Sequence, residues 1–342
     1  MDFDQFEKYT KEDNFDKYKK TYAWKNAIGL QDVDKLTPSN YLYEIANKNI
    51  EDDLSFEEAS KLLNSYYETK KEISERTEEA DKVSLRIAEI ISSNSFVFSP
   101  MEYINIHKRL FLDIYENAGK IRDYNISKKE WVLDGKSVIY GNSYNLKEML
   151  EYDFDKEKQF SYKGLNKKEF VNHIARFISD IWQIHIFEEG NTRTTAVFLI
   201  QYLKQLGFNV DNDLFANYSW YFRNSLVRAN YENYLQGVEE TTSYLEMFLE
   251  NLLFNGNNEL NNKKLHINFN EDKVFERNYL TKEEQELLAL IKQNPNITQE
   301  QCSEIMNKSI RSIKNYTKTL IEKSFIERIN GKKKGYWKVK YK

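Results

Sequence analysis

Residues 185–194 read HIFEEGNTRT, and the reading of this stretch decides the fold around it. Upstream, Phe170, Ile174, Phe177, Ile181 and Ile184 recur at helical spacing, so an amphipathic helix runs into His185. Downstream, TTAVFLIQYLKQL is apolar nearly all round, the pattern of a buried central helix, and Gly207 ends it. The stretch is therefore a tight connection between two helices. Asn191, Thr192 and Arg193 open the second helix, where backbone N–H groups lack intrahelical partners, and Gly190 permits close approach to the backbone. A helix start of this kind is an anion site. Arg193 adds a permanently charged planar fork for phosphate oxygens. Glu189 offers hard oxygen to Mg2+, which usually shares its ligands with substrate phosphates. His185, with an ordinary pKa of about 6.5, is suited to accept a hydroxyl proton. Phe187 is expected to pack inward and fix the loop. Taken singly these features are ordinary, since a Gly-Asn after a helix is usually a cap and a histidine beside an apolar face is usually structural. Their coincidence within ten residues points to a site.

The bulk of the chain bounds what the site can serve. Its 342 residues suffice for two or three domains, and 40% hydrophobic with 30% charged residues reads as soluble and globular. No stretch approaches the ~18–20 consecutive apolar residues of a membrane span. The opening MDFDQFEKYTKEDNFDKYKK is polar and shows no secretory signal, so a cytoplasmic protein without membrane contact is expected. The single Cys302 excludes an internal disulfide and a thiolate metal cluster, and four scattered histidines argue against zinc. Three prolines and eleven glycines leave few helix breakers, which favours a mainly α protein. The net charge of −4 conceals an asymmetry: residues 303–342 hold 12 Lys/Arg against 3 Asp/Glu, a local +9. A basic terminal module facing a polyanion fits that distribution.

Along the chain, Ser55 and Glu58 form a capping-box pattern before FEEASKLLNSYY, and residues 74–93 show an amphipathic helix with Ala80, Val83, Ile87 and Ile90 or Ile91 on one face. Pro100 sits at a helix start. KEWVL and SVIYG, flanking Asp134-Gly135, read as a β-hairpin that leans on the helices as a flap. NGNNELNNKK, residues 255–264, is polar and aperiodic and reads as linker. Beyond it come helices over about 281–293, 298–306 and 309–323. In the last, Ile310, Ile313, Tyr316, Leu320 and Ile321 are expected inward, with Arg311, Lys314 and Lys318 outward. IERINGKKKGYWKV then supplies two strands around Asn330-Gly331, with Lys332, Lys333 and Lys334 at the tip. Three helices and a basic hairpin is the order of a winged helix-turn-helix, whose third helix would enter the major groove of duplex DNA.

HIFEEGNTRT resembles the signature of the Fic family, His-Pro-Phe-x-Asp/Glu-Gly-Asn-Gly-Arg-x-x-Arg, and AGKIRDYNI followed by the hairpin resembles the family's flap region. The resemblance implies transfer of AMP from ATP to a Ser, Thr or Tyr hydroxyl of a target protein docked on the flap hairpin, self-modification included. In it His185 is the general base and Arg193 neutralises charge developing toward pyrophosphate. Glu189 holds Mg2+, the backbone of Gly190, Asn191 and Thr192 cradles the phosphates, and Arg193 joins them in binding the nucleotide. Asn230, in LVRANYENY, resembles an asparagine near adenine. Ile186, Thr192 and Ala196 depart from the pattern, and Ala196 removes the second arginine.

The N-terminal stretch resembles a VbhA-type antitoxin module, whose inhibitory helix carries Ser/Thr-x-x-x-Glu-Gly; aligned through Gly29, Trp24 and Ile28 fall at the serine and glutamate positions. With Ile28 and Ala196 there, no ion pair between those two positions forms, so this module is expected to be chiefly structural. Ser74 and Glu78 fit the spacing on a solvated face. The expected organisation is thus an antitoxin-type module over 1–72, a Fic domain over 73–255 (a helical core with one β-hairpin flap), a linker over 256–278, and a small α+β winged helix-turn-helix domain over 279–342. The alternative to the transferase is a DNA-binding transcription regulator whose Fic domain binds nucleotide without efficient transfer.

Overall fold

The structure is a computed structural model that describes residues 6, 9, 15–69, 74–269, 280–323, 325–329 and 335–340. It is mainly helical and divides into two compact units, Met1–Asn268 and Phe269–Lys342. No helix among the described residues is long and apolar enough to cross a membrane.

The first unit opens with α1 (Phe15–Gly29), a 3-10 turn over Leu30–Asp34, α2 (Asn40–Ile50) and α3 (Phe56–Thr69). Ser55 and Glu58 cap α3 reciprocally, as the sequence predicts. Next come α4 (Glu75–Ser92), α5 (Pro100–Phe111, with Pro100 at its start), α6 (Leu146–Gln159), α7 (Lys167–Ile184), α8 (Asn191–Gln205), α9 (Leu214–Ala229) and α10 (Ser243–Phe254). Every residue of α8 from Asn191 to Leu203 is buried, which follows from its nearly all-apolar sequence. It packs against α4, α5 and α7. Gly207, at φ +88°, closes it.

The N-terminal helices are continuous with this core. α1 packs along α4 and α9, and Trp24 and Ile28 are wholly buried. Residues 1–72 and 73–255, read as two domains in the sequence, thus lie within one compact unit. The Asn-rich residues 255–264 differ from a free linker. Asn258 exchanges hydrogen bonds with Asn251, Asn224 donates to Asn262, and Leu265 is buried. Asparagine amides reach backbone and one another at short range, which periodicity does not register.

The flap also differs. Among the described residues no strand pair forms across Asp134-Gly135. Trp131–Leu133 make a 3-10 turn, Asp134 and Gly135 take positive φ, and the Glu130 N–H donates to the Lys136 carbonyl at 2.9 Å. The turn dipeptide acts as expected, but the flanking residues are drawn into separate contacts: Glu130 to Arg223, and Val132 to the Ile267 N–H. The flap is therefore an irregular turn rather than a β-hairpin.

In the second unit α11 (Lys282–Gln293), α12 (Gln299–Ile305) and α13 (Ile310–Glu322) precede an antiparallel pair, β1 (Ile326–Ile329) and β2 (Tyr336–Val339), in register Ile326↔Val339 to Ile329↔Tyr336. Capping boxes start α11 at Thr281 and α12 at Thr298. On α13, Ile313, Thr317 and Leu320 are buried, whereas Ile310 and Ile321 are exposed. A single helical stripe is narrower than the five apolar positions the sequence offered, and Thr317 enters it by donating its hydroxyl to the Ile313 carbonyl. Arg311, Lys314 and Lys318 are exposed, as expected. Asn330-Gly331 and Lys332, Lys333 and Lys334 lie outside the described residues.

The join of α1 to α9 depends on Gly29, where an added Cβ would stand 2.4 Å from the Ala216 Cα. Gly29→Ala should destabilise the first unit by about 1–3 kcal/mol through overpacking, read as a lower denaturant midpoint. An unchanged midpoint would show that the two helices separate freely there.

Candidate functional site

α7 ends at His185, whose left-handed backbone (φ 49°, ψ 54°) turns the chain out of the helix. Arg122 holds this turn. Its guanidinium donates to four carbonyls: His185 at 2.7 Å, Ile184 at 3.2 Å, Gly141 at 2.6 Å and Tyr124 at 2.5 Å. One buried side chain thereby ties the helix end to the segments on either side of the flap. The His185 imidazole is buried and lies against the Tyr140 ring, centroids 4.2 Å apart, with Trp182 edge-on at 5.2 Å. Its Nδ1 has no hydrogen-bond partner among the described residues. Burial, then the nearby Lys128, Arg223 and Arg122 charges, push its pKa well below the ordinary histidine value. At neutral pH the ring is a free base.

The loop beyond it is built from inside. Phe187 is fully buried, as its apolar character predicts, and stacks on His107 at 3.7 Å. The Asn191 side chain accepts from the Phe187 N–H at 3.0 Å and donates to the Phe187 carbonyl at 2.8 Å, so it clamps the loop rather than facing a ligand. The Gly119 N–H donates to His107 Nδ1 at 2.8 Å, which leaves Nε2–H to donate to the Glu189 carbonyl at 3.0 Å. Gly190 takes φ +77°, and a Cβ there would meet Phe111 at 2.4 Å, so no other residue fits. As the N-cap of α8, Gly190 supplies no side-chain cap, which leaves the N–H groups of the first turn without intrahelical partners. Thr192 accepts from the Trp182 indole at 3.0 Å, and the Asn230 amide nitrogen donates to Ser179 Oγ and the Leu226 carbonyl, both at 2.9 Å. The side chains of Thr192 and Asn230 are thus tied into the fold. Glu189 is half exposed and paired with Lys128 at 2.8 Å.

Arg193 is the largest departure from expectation. Its side chain is 1% exposed and meets Glu79 at 2.6 Å and Asp34 at 2.9 Å. It also donates to Gln31 at 3.0 Å and Tyr115 at 3.1 Å, and lies over the Phe111 ring. Burial opposes its charge, yet Asp34, Tyr115 and Glu79 more than offset that and raise its pKa. Trp24, Ile28 and Ala196 are buried core residues. The acidic contact comes instead from Asp34, after α1, and Glu79, on α4, and reaches the first arginine of the motif. Glu78, which the spacing singled out, pairs with Lys82. In this conformation two carboxylates already hold the arginine that the sequence assigned to phosphate.

His107, Arg122, Tyr140, Glu79 and Asp34 were not singled out as site residues in the sequence. Arg122 lies in AGKIRDYNI, the stretch that carried the flap resemblance. The others had no local signal, because each reaches the loop only through tertiary packing. Glu130 is likewise buried, held by Arg223 at 2.6 and 3.0 Å, and accepts from Tyr140 at 3.2 Å. It thereby fixes the ring that faces His185.

The loop thus brings together a buried histidine at a helix end, a glycine-opened helix start and, two residues beyond it, a buried arginine. Residues 97–203 match the Fic/DOC family, and the chain carries a Fic domain. It is similar to the protein adenylyltransferase VbhT of Bartonella schoenbuchensis, 30% identical over 129 residues, 38% of this chain and 24% of that protein. It is also similar to the probable protein adenylyltransferase y4lH of Sinorhizobium fredii, 28% identical over 110 residues, 32% of this chain and 54% of that protein. The matched stretch thus spans about a quarter of the first relative and about half of the second.

Burial holds the pKa of His107 down to about 4, and that of His185 is depressed as well. The unfolded chain takes up these protons near pH 6.5, the folded one only at lower pH. Stability is therefore present above about 6.5 and lost as pH falls through the folded values. His107 alone should account for about 3 kcal/mol between pH 6.5 and 4. Thermal melts across that range should fall less steeply for His107→Gln than for wild type; equal slopes would refute the assignment.

Proposed function

We propose that the Fic domain transfers AMP from ATP to a Ser, Thr or Tyr hydroxyl of a protein, and that the described conformation is its closed state. The observation that carries the reading is the neutral, buried His185 beside an uncapped helix start. His185 accepts the proton of the target hydroxyl, whose oxygen forms a bond to the α-phosphorus as the bond to pyrophosphate breaks. The backbone N–H groups at the start of α8 receive phosphate oxygens. Glu189 suits Mg2+, being an exposed carboxylate at the loop edge that now faces the Lys128 ammonium. It would hold the ion together with substrate phosphates, and the ion would supply charge neutralisation there. Arg193 serves the departing phosphates only after Glu79 and Asp34 release it. The irregular flap, with Ile139 exposed, is the docking edge for the target.

Glu79→Gln combined with Asp34→Asn keeps size and hydrogen bonding while removing two charges. ATP affinity should rise roughly tenfold, equivalent to about 1.5 kcal/mol of charge-assisted bonding freed for phosphate. AMP incorporation with ATP and Mg2+, read by intact mass on the protein and on a lysate, should rise with it. His185→Ala in that background should lower transfer by about 10²–10⁴-fold with nucleotide binding retained.

A second reading, a nucleotide-binding regulator without efficient transfer, is favoured by the closure of Arg193 and by Ala196 at the other arginine position. ATP binding without AMP incorporation in either the wild type or the charge-neutral variant would select it.

For the second unit we infer binding to duplex DNA through the exposed Arg311, Lys314 and Lys318 face of α13, with the winged-helix order of elements as support. Reversal of these three to Glu should weaken binding to every sequence and flatten its salt dependence. Unchanged binding and salt slope would sink this reading.

A further inference from the structure

A cavity of about 660 Å³ lies between α1 and the end of α8, and it shares no residue with the His185 loop. That volume is typical of small-molecule sites. Lys204, in the last turn of α8, sends its ammonium into the seam and donates to the Ile91 carbonyl at 2.7 Å. Among the described residues no carboxylate pairs with it. The Tyr22 side chain, 5% exposed, lies beside it, with the Lys204 Nζ 5.9 Å from the ring centre. The Tyr22 hydroxyl is buried and has no hydrogen-bond partner among the described residues.

Three acids line the cavity, Asp16, Asp52 and Asp211, alongside Lys19 and Lys20. Asp52 pairs with Lys20, and Asp211 accepts from Asn209 at 2.5 Å. Lys204 is thus an ammonium with no carboxylate partner among the described residues, and Tyr22 holds a buried hydroxyl with no hydrogen-bond partner there, both costly to bury. Phe208 and Val210 add apolar surface on the same wall.

We propose that this cavity binds a small organic anion, whose carboxylate or phosphate group takes the Lys204 ammonium and the Tyr22 hydroxyl while its carbon skeleton lies on Phe208 and Val210. An oxyanion supplies both missing partners at once, a negative charge and an acceptor. Water would supply only the second. The apolar wall adds affinity for an organic ligand over a bare ion.

The test uses the full chain, with propionate and inorganic phosphate as probes against chloride at equal ionic strength. At pH 8 burial leaves Lys204, with its pKa lowered to about 8, partly as free amine. Acylation by an N-hydroxysuccinimide ester, mapped by peptide mass, should slow about tenfold at Lys204 in saturating probe. The exposed Lys61 should label unchanged. Either anion should also raise the Tm of wild type, and Lys204→Met and Tyr22→Phe should lose that rise. Tyr22→Phe removes one hydroxyl only, so it serves if Lys204→Met does not fold. Protection by one probe alone assigns the head group. Equal labelling in all three salts, or a Tm rise that survives both substitutions, would overturn the proposal.

Discussion

A guanidinium taken out of water must be met by charge and acceptors on nearly every side, and Arg193 satisfies that requirement with five residues from four segments. Asp34 and Gln31 come from the turn after α1, Glu79 from α4, Tyr115 from the loop after α5, and Phe111 from the end of α5. The cost of burying the charge thus draws the N-terminal helices onto the central helix. The same contacts close the arginine to phosphate. The packing of the N-terminal helices and the position of the Arg193 side chain are thus coupled through one cluster of contacts.

Around that centre the loop is positioned by hydrogen bonds from within the fold. Arg122 gathers four carbonyls and fixes the left-handed exit of α7. Asn191 bridges both polar atoms of the Phe187 backbone, and His107 fixes the Glu189 carbonyl. His185 itself is held by rings, not by a hydrogen bond to Nδ1. Its neutrality is an effect of burial among cations and belongs to the surroundings more than to the residue. Glu130, through Arg223 and Tyr140, links the flap to the same ring.

Much was legible beforehand because the signals were local. The α7 and α8 patterns, the caps at Ser55 and Pro100, the stop at Gly207 and the three terminal helices follow from side-chain period and capping chemistry within a few residues. Where the flanks of Asp134-Gly135 read as strands, the backbone found other partners, and no ladder formed. The Asn-rich 255–264 read as linker because asparagine has no period, yet its amides tie it to α9 and α10. On α13, Ile310 and Ile321 stay exposed because a single helix buries only one stripe.

The sequence by itself determined the helical class, the tight turn at Gly190 and the presence of His185, Glu189 and Arg193 within nine residues. These depend on backbone conformation and residue type, which a short window contains. Only the tertiary structure decided that Asp34 and Glu79 meet Arg193, that Asn191 serves the loop, and that burial strips His185 of its charge. Those outcomes turn on groups separated by up to about 160 positions brought within hydrogen-bond reach, and on a dielectric that exists only once the core has closed.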